Sequence, residues 1–369
     1  MAKRSGAVEK MVMPASPSLQ QAFSGRPVFL TGHTGFKGAW LSMWLARLGA
    51  NVTGYALRPD GTPNLFELAA IESTLAAHIV GDIRDLSTLT KAMQAAAPEV
   101  VFHLAAQPLV RLGYREPVET WSTNVMGTVH LLEAVRACPS VRAVVVITTD
   151  KCYENRERRA AYREDSPLGG NDPYSASKAG AELVVHSYRQ SFFKRSGVLL
   201  ASARAGNVIG GGDWCEDRLI PDAARAVAAD MPLNIRNPAA TRPWQHVLEA
   251  LHGYLLLAAR LMAGDASFAD GFNFGPLASD NLPVSVVLTR LQQHWPELVW
   301  QADPASANAP HEAQLLFLDS NKARNSLQWS SRWDLGTGLQ MTADWYRAVA
   351  RQPDQARAIS EQQLDQFCL

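Results

Sequence analysis

Cysteine is scarce in this sequence of 369 residues, and no metal-binding pattern occurs in it. The four cysteines, Cys138, Cys152, Cys215 and Cys368, form no CxxC pair and follow no regular spacing. A disulfide framework or a zinc site needs such spacing, so the cysteines indicate a reducing cytosol. The nine histidines form no HxxxH or HExxH pattern, and we therefore expect no metal site.

Charge of one sign and long apolar runs are lacking as well. The 35 basic and 35 acidic residues cancel, which predicts no nucleic-acid partner. No stretch approaches the ~20 consecutive apolar residues of a membrane span. Residues 1–24 lack the continuous apolar segment of a signal peptide, so we expect a flexible tail there and a cytoplasmic protein.

What the sequence does contain is a glycine-rich turn, TGHTGFKG, at residues 31–38. The apolar run 27–30 before it predicts a buried strand, and apolar residues at i, i+3, i+4 and i+7 from Leu41 predict a helix after it. The N–H groups at the start of such a helix, with no side chains in the way, suit a pyrophosphate; the turn contributes Gly32, Gly35 and Gly38. A plain tight turn would also explain three glycines, but the flanking strand and helix favour a dinucleotide site.

Strand and helix patterns alternate up to about residue 204. The strands are expected at 27–30, 52–56, 78–80, 100–104, 141–149 and 198–204. The helices among them are expected at 86–97, 117–137 and 174–195. This alternation predicts an α/β fold with a Rossmann-type doubly wound parallel sheet, whose ligands bind beyond the carboxyl ends of the strands.

The remainder of the chain has a different texture. Short strands are expected at 233–236 and 272–274, and helices at 245–262, 284–295 and 335–350. We therefore expect a dinucleotide-binding domain over 25–205 and a smaller C-terminal α/β substrate-binding domain over 206–369, with some segments returning to the first domain.

Tyr174 and Lys178 form a YxxxK pair within PYSASKAGAE. Four residues apart on a helix, they share one face. An ammonium group one turn away lowers the pKa of the phenol, and the phenolate can then take the hydroxyl proton of an alcohol during hydride transfer. An exposed helix could carry the two residues by chance, but the preceding βα units favour the catalytic pair.

With these motifs the chain resembles the extended short-chain dehydrogenase/reductase family. Thr149 in ITTDK matches the family's Ser/Thr at the end of the fifth strand, and Asn124 in STNVMGT matches its asparagine in the preceding helix. Asp82 in GDIRD resembles the residue that contacts adenine. The resemblance implies tightly bound NAD as cofactor.

Asp150 and Lys151, directly after Thr149, narrow the reaction. A carboxyl group and a further proton carrier exceed what hydride exchange needs and fit the elimination of water. TTDKCY, AAQPLVR, RAGNVIGGGDW and RPWQHVLE resemble the CDP-glucose 4,6-dehydratase branch of the family. A surface salt bridge at a strand end is the alternative explanation for the two residues.

This resemblance implies a lyase that converts CDP-glucose to CDP-4-keto-6-deoxyglucose. Tyr174 would take the 4-hydroxyl proton while Thr149 holds that oxygen and Lys178 holds the nicotinamide ribose. Lys151 would then remove the proton on carbon 5, and Asp150, protonated, would give its proton to the departing 6-hydroxyl.

The resemblance also implies the binding residues. Those for the cofactor are Gly32, Thr34, Gly35, Phe36, Lys37, Gly38, Asp82, Ile83, Leu104, Ala105, Ala106, Gln107, Asn124, Thr148, Tyr174 and Lys178. Those for the substrate are Gln107, Lys151, Asn207, Arg218, Leu219, Arg236, Arg242, His311 and Glu312. Guanidinium groups suit a pyrophosphate, although each arginine could also be a solvated surface charge.

Several alternatives remain open at this point. Arg58 stands near the end of the second strand, where a carboxylate would favour NAD; an arginine there can accommodate the 2′-phosphate of NADP. The reaction could be that of another nucleotide-sugar 4,6-dehydratase or of a 4-epimerase, and a non-catalytic NAD-binding regulator is a distant alternative. The resemblance further implies a homodimer or homotetramer, and deoxysugar biosynthesis for bacterial O-antigen or lipopolysaccharide.

Overall fold

The computed structural model describes residues 18–157, 160–303 and 315–369. The strands in these ranges are β1 (Pro27–Thr31), β2 (Asn51–Ala56), β3 (Ala77–Val80), β4 (Val100–His103), β5 (Ala143–Ile147), β6 (Leu199–Ala205), β7 (Val208–Ile209), β8 (Leu233–Ile235), β9 (Thr241–Pro243), β10 (Gln245–His246), β11 (Gly271–Phe274), β12 (Asn281–Pro283) and β13 (Trp300–Ala302).

The helices of the same ranges alternate with these strands. They are α1 (Leu19–Phe23), α2 (Phe36–Arg47), α3 (Leu65–Leu68), α4 (Leu86–Ala96), α5 (Val110–Arg115), α6 (Pro117–Trp121), α7 (Gly127–Arg136), α8 (Pro173–Tyr188), α9 (Lys194–Ser196), α10 (Leu219–Ala228), α11 (Val247–Met262), α12 (Val284–His294), α13 (Leu335–Arg351) and α14 (Ala356–Cys368).

Seven of the strands form one sheet in the order β11-β6-β5-β4-β1-β2-β3. Every pairing in this sheet is parallel. The strand order reverses between β1 and β4, and a crevice opens at such a switch point, beyond the carboxyl ends of the strands. The predicted Rossmann-type fold is confirmed, and its ligand site is expected at this reversal.

The core lies on both faces of the sheet, as a doubly wound fold requires. Strands β4 and β5 are buried along their whole length, which explains why both read as apolar runs rather than as alternating patterns. Helices α2 and α11 supply the apolar side chains of one face. Helices α4, α7 and α8 supply those of the other face.

The predicted helix over 117–137 has an interruption. A π-helical turn at Ser122–Met126 joins α6 to α7. A similar turn at Arg189–Phe193 follows α8. An extra residue in a turn rotates the side chains that follow it, and such turns are frequent at functional sites. Periodicity alone predicts the helix but not the interruption.

Helix α1 corrects the prediction of a flexible tail for residues 18–24. Ser18 caps this helix, because its hydroxyl accepts a hydrogen bond from the Gln21 N–H. Phe23 is fully buried, with its ring centroid 6.2 Å from that of Phe102. The five-residue helix is too short to show a period in the sequence. Residues 1–17 of the tail lie outside the described residues.

The C-terminal half forms small sheets but also completes the large one. Strand pairs β7–β10, β9–β12 and β8–β13 lie apart from the main sheet. Strand β11 instead pairs with β6, and α11 packs against β5 and β6. Across the ranges that the structure describes, none of the helices combines the length and the apolar character needed to span a membrane.

Candidate active site

A cleft of about 720 Å³ opens at the carboxyl ends of the central strands. Its volume is in the range of small-molecule sites. It brings together segments from both halves of the chain. The residues that the sequence predicted and that line it are Gly32, Thr34, Gly35, Phe36, Lys37, Gly38, Asp82, Ile83, Leu104, Ala105, Ala106, Gln107, Thr148, Thr149, Lys151, Tyr174, Lys178, Asn207, Arg218, Leu219, Arg236 and Arg242.

The glycine turn between β1 and α2 is shaped by two of its three glycines. Gly32 has a φ of +76°, and a Cβ on it would lie 2.6 Å from the Ala105 nitrogen. A Cβ on Gly38 would lie 2.0 Å from the Gly32 oxygen. Gly35, at the N-cap of α2, would meet no other atom closer than 3.5 Å. The turn is thus tightly packed at Gly32 and Gly38 and open at Gly35. The open position suits the approach of a phosphate.

The segment after β3 forms an adjacent part of the cleft. The Asp82 carboxylate accepts hydrogen bonds from the Arg84 side chain at 2.9 Å and 2.6 Å. These hydrogen bonds lower the pKa of Asp82. The carboxylate is therefore ionised and faces the cleft as a hydrogen-bond acceptor.

Asn124, predicted to bind the cofactor, is buried and lies behind the residues that line the cleft, so its role in binding stays a prediction. Its amide accepts from the Gln107 N–H at 2.8 Å and donates to the Gln107 carbonyl at 3.0 Å and to Ser177 Oγ at 2.8 Å. Asn124 holds the segment after β4 against α8. A buried amide is worth most where each of its polar atoms is paired, as here.

Gln107 lines the cleft, but its side-chain amide forms hydrogen bonds within the protein. Its Nε2 donates to Thr120 Oγ1 at 2.8 Å, and its Oε1 accepts from the Leu109 N–H at 2.5 Å. Both ends of the side chain are therefore engaged within the protein. Because Asn124 also pairs with the backbone N–H and carbonyl of Gln107, a polar contact between Gln107 and a ligand would need a rearranged amide.

Thr149, Tyr174 and Lys178 meet where β5 ends beside α8. Helix α8 begins sharply, because Pro173 occupies its first turn and the Asp172 carboxylate accepts from the Ser175 N–H at 2.9 Å. The Thr149 side chain lies beside the Tyr174 hydroxyl and acts on its pKa. The Lys178 ammonium lies 3.4 Å from the Ile147 carbonyl oxygen. The YxxxK pair and the strand-end threonine thus form one buried cluster.

Burial dominates the ionisation of this cluster. It raises the pKa of Tyr174 to about 12, against the opposing effects of the Thr149 side chain and the Arg218 charge. It lowers the pKa of Lys178 to about 8, with the Glu182 carboxylate opposing the shift. The expectation of a lowered tyrosine pKa is wrong for the protein without ligands, because loss of hydration outweighs the neighbouring positive charges.

Asp150 lies behind the wall of the cleft and does not line it. The residue is fully buried, and its Oδ1 accepts from Thr149 Oγ1 at 3.0 Å and lies 3.8 Å from the Lys151 ammonium. Its Oδ2 has no hydrogen-bond partner in the described part of the chain. Lys151 is 25% exposed and faces the cleft. The alternative of a surface salt bridge is wrong, because Asp150 has no surface.

A buried ion pair fixes this segment from the other side. The Glu182 carboxylate accepts from Thr148 Oγ1 at 2.5 Å and pairs with Arg204 at 2.7 Å. Arg204 in turn donates to the Tyr153 hydroxyl at 2.7 Å. Thr148 and Tyr153 flank the Thr149–Lys151 segment, so the pair anchors both of its ends to α8 and β6. The Thr148 hydroxyl is consequently occupied, and only the rest of that residue is free to meet a ligand.

The substrate candidates of the C-terminal half line the same cleft as the glycine turn, and the Arg218 charge acts on Lys37 of that turn. Arg218 pairs with the buried Asp213 at 2.9 Å, and although burial disfavours its charge, Asp213 raises its pKa. Arg242 is buried and donates to the Thr241 carbonyl at 2.8 Å. Asn207 Oδ1 is buried without a partner among residues 18–157, 160–303 and 315–369. His311 and Glu312 lie outside the described residues.

Among the charged residues of the cleft that sequence reasoning missed are Arg111, Asp213 and Asp217. Arg111 lies in AAQPLVR, directly after β4, so the rule that ligands bind beyond strand ends could have found it. Asp213 and Asp217 lie in a loop whose course no periodicity reveals. Within the described ranges no group of three histidine, cysteine or acidic residues is placed to hold a metal ion.

Comparison with known proteins identifies the family. The model for the family described as GDP-mannose 4,6 dehydratase matches residues 29–342. A CDP-glucose 4,6-dehydratase of Salmonella typhimurium is 50% identical over 338 residues, which cover 90% of this chain and 93% of that protein. A dTDP-glucose 4,6-dehydratase of Xanthomonas campestris is 27% identical over 343 residues, which cover 86% of this chain and 92% of that protein.

A solved structure shows the same fold. The dTDP-glucose 4,6-dehydratase of Bacillus anthracis, in complex with NAD, superimposes with a TM-score of 0.72 at 20% identity, over 87% of this chain and 96% of that one. The resemblance to CDP-glucose 4,6-dehydratases is confirmed at the level of sequence, and the Rossmann-type architecture at the level of fold. The chain belongs to the GDP-mannose 4,6 dehydratase family, of the extended short-chain dehydrogenase/reductase type.

Proposed function

We propose that the protein removes water from CDP-glucose to give CDP-4-keto-6-deoxyglucose. The observation that carries this proposal is the pairing of Asp150 and Lys151 directly beside Thr149, whose hydroxyl donates to Asp150 and whose side chain acts on Tyr174. An oxidation site thus adjoins a carboxyl and an amine, which elimination requires. The Salmonella typhimurium relative, a CDP-glucose 4,6-dehydratase, supports the nucleotide sugar as substrate and CDP as its nucleotide.

NAD is the cofactor that fits the glycine turn. The open face at Gly35 and the N–H groups at the start of α2 suit a pyrophosphate, and the Asp82 carboxylate is available for the adenosine end. When bound, NAD supplies a hydride acceptor that takes hydrogen from carbon 4 of the sugar and returns it to carbon 6. Arg58 lines the cleft, but the Bacillus anthracis structure, which holds NAD, favours NAD over NADP.

The first proton transfer belongs to Tyr174. Its phenol lies within hydrogen-bond reach of Thr149, so a sugar hydroxyl bound there meets both side chains. Tyr174 takes the 4-hydroxyl proton, and Thr149 donates a hydrogen bond to the oxygen that remains. Burial raises the pKa of Tyr174 to about 12, so the phenolate that acts as the base must be stabilised by neighbouring positive charges. Lys178 supplies such a charge from the same helix.

The elimination belongs to Lys151 and Asp150. A ketone at carbon 4 makes the hydrogen on carbon 5 acidic, and the Lys151 amine removes it from the cleft side. Asp150 then gives a proton to the 6-hydroxyl, which leaves as water. The carboxyl lies behind Gly206, which lines the cleft, and a Cβ on residue 206 would lie 2.9 Å from Asp150 Oδ2, so a larger residue there would crowd the acid.

The diphosphate and the nucleotide belong to the second half of the chain. Arg218, Arg236 and Arg242 line the cleft, and Asn207 offers it an unpaired carbonyl oxygen. We assign the dinucleotide-binding domain to residues 25–205, with β11 and α11 returned to it, and the substrate domain to the rest of 206–369. His311 and Glu312 stay assigned to the nucleotide.

A product assay tests the reaction and the substrate together. The purified protein is incubated with CDP-glucose, dTDP-glucose, GDP-mannose and UDP-glucose in turn, and each product is analysed by mass. We expect the loss of one water from CDP-glucose alone, with no net change in the absorbance of the nicotinamide. Turnover of another nucleotide hexose would contradict the assignment of CDP-glucose as the substrate. A product of unchanged mass would contradict dehydration and favour the alternative reaction, 4-epimerisation.

The exposed apolar side chains of α6, the π-helical turn and α8 support a homodimer. Helices α6 and α8 pack side by side. Helix α6, the π-helical turn that follows it and α8 expose Val118, Trp121, Met126 and Leu183. A second copy of the chain would cover these side chains, and a homotetramer is the further alternative.

We also propose a cytoplasmic location and a role in supplying deoxysugars for bacterial surface polysaccharides, namely O-antigen or lipopolysaccharide.

A further inference from the structure

Two arginines on opposite walls of the cleft share one carboxylate. The Arg111 guanidinium lies 2.9 Å from Asp217 Oδ1, and the Arg236 guanidinium lies 3.8 Å from the same oxygen. Arg111 belongs to α5, after the central strand β4, whereas Arg236 follows β8 in the C-terminal half. Asp217 lies between them in the loop before α10. These three residues, here called the arginine bridge, join the two halves of the chain across the cleft.

The Asp217 carboxylate of the arginine bridge is exposed to solvent, unlike the carboxylate of the nearby Asp213. The side chains of Arg111, Asp217 and Arg236 are 33%, 33% and 31% exposed, and all three line the cleft. The Asp213 carboxylate, which holds Arg218, is 4% exposed and also accepts from the Cys215 N–H at 3.2 Å. Asp213 is therefore a fixed part of the wall, whereas Asp217 is accessible to water and to a competing anion.

Charge favours such a competitor. One carboxylate carries a single negative charge between two guanidinium groups, while the diphosphate of a nucleotide sugar carries about two. Arginine also binds phosphate oxygens in a bidentate manner, which a shared single oxygen does not allow. Asp217 has a φ of +57°, in the left-handed region that aspartate can adopt in a turn.

We propose that Asp217 is an internal stand-in for a substrate phosphate group, and that the diphosphate displaces it from Arg111 and Arg236 on binding. Arg111 then becomes a diphosphate-binding residue of the first half of the chain. Asp217 tunes affinity by competing with the ligand. This displacement depends on the proposed function in one respect, which is that the substrate carries a nucleoside diphosphate.

Opposite responses of the two partners test the displacement. The dissociation constant of CDP is measured by calorimetry for the unaltered protein with its cofactor and for Arg111→Gln, Arg111→Lys and Asp217→Asn. We expect about tenfold weaker binding for Arg111→Gln, and an intermediate loss for Arg111→Lys, which keeps the charge but loses the fork. Asp217→Asn should bind CDP several-fold more tightly, because the competing charge is gone.

Two controls separate this displacement from structural damage. Arg115→Gln removes an exposed arginine of the same helix and should leave CDP affinity within about twofold. Cytidine, which lacks phosphate, should bind every variant equally. Weaker CDP binding by Asp217→Asn would overturn the proposal, since a purely structural bridge loses affinity from either side, and so would unchanged binding by Arg111→Gln.

The same titrations with UDP keep this inference apart from the proposed substrate. If the unaltered protein bound UDP and not CDP, the assignment of the nucleotide would fail. The bridge would then be judged on the UDP series, where the opposite shifts of Arg111→Gln and Asp217→Asn are again the supporting result and parallel shifts are the contradicting one.

Discussion

At the scale of single residues, three consecutive side chains have three different environments. Thr149 ends the extended segment after β5 and reaches Tyr174, Asp150 is fully buried, and Lys151 faces the cleft. A 3₁₀ turn at Asp150–Cys152 produces this divergence, because successive side chains then point about 120° apart. One short turn can thus place a hydrogen-bond donor, an acid and a base around a single sugar.

Replacement of Asp150 by asparagine tests the acid. The amide cannot give a proton to the 6-hydroxyl, so we expect product formation to fall by about 10²–10⁴-fold. Oxidation at carbon 4 would persist, and reduced nicotinamide should accumulate during turnover, which its absorbance measures. Asp165→Asn, in the same region but 77% exposed, serves as the control. Undiminished dehydration by Asp150→Asn would show that another group is the acid.

The pH dependence reports on Lys178. Its pKa is about 8, so the ammonium charge is present below pH 8 and is lost as the pH rises through that value. Loss of this charge disfavours the Tyr174 phenolate, and kcat/KM should therefore decline above about pH 8. In Lys178→Arg the charge persists, so the decline should move to higher pH although the maximum is lower. An unmoved decline would assign it to a different group.

At the scale of elements, the glycines between β1 and α2 differ in role: some are needed for packing, and one is open to a ligand. Gly32 and Gly38 have no room for a side chain, whereas Gly35 has. The first two therefore belong to the packing of the turn against β4 and α2. Gly35 is left to the ligand.

Alanine at each of two positions tests this division. Gly38→Ala places a Cβ 2.0 Å from the Gly32 oxygen and should lower the free energy of unfolding by roughly 1–3 kcal/mol. Gly35→Ala should cost no more than about 1 kcal/mol, the usual effect at an N-cap, but should weaken NAD binding. Thermal unfolding and equilibrium dialysis with NAD measure the two quantities. Equal effects of both variants on stability would contradict the division.

At the scale of the whole molecule, the cleft exists because two halves of the chain meet at the strand reversal between β1 and β4. The first half brings the glycine turn and the catalytic cluster, and the second brings Arg218, Arg236 and Arg242. The sheet itself is shared, since β11 extends it from the C-terminal half.

The proposed homodimer is tested by a charge in its apolar surface. Leu183 is 60% exposed on α8, and Leu183→Asp should shift the mass in solution from dimer to monomer because a dimer would bury the carboxylate. Light scattering after size-exclusion chromatography measures this mass. Leu277→Asp, at a residue 54% exposed elsewhere, should remain a dimer. A monomeric unaltered protein would contradict the proposal, and a tetramer would extend it.

Sequence pattern predicted the large elements well because their periods are local. Each strand of the sheet up to β6 lies within two residues of its expected bounds, and the long helices α4, α11, α12 and α13 do as well. Short elements were missed, among them α1 and α5, because five or six residues cannot display a period. The π-helical turn at Ser122–Met126 was missed because it changes the register and not the composition.

By itself the sequence determined the order of strands and helices, the glycine turn and the identities of Thr149, Tyr174 and Lys178, since all of these are set by neighbours along the chain. Tertiary structure alone decided that Asp150 is buried behind the wall, that Asn124 supports Gln107, and that Arg111 and Arg236 share the Asp217 carboxylate. These arrangements depend on contacts between segments distant in sequence, and burial, which shifts the pKa of Tyr174 and Lys178, is a property of the folded whole.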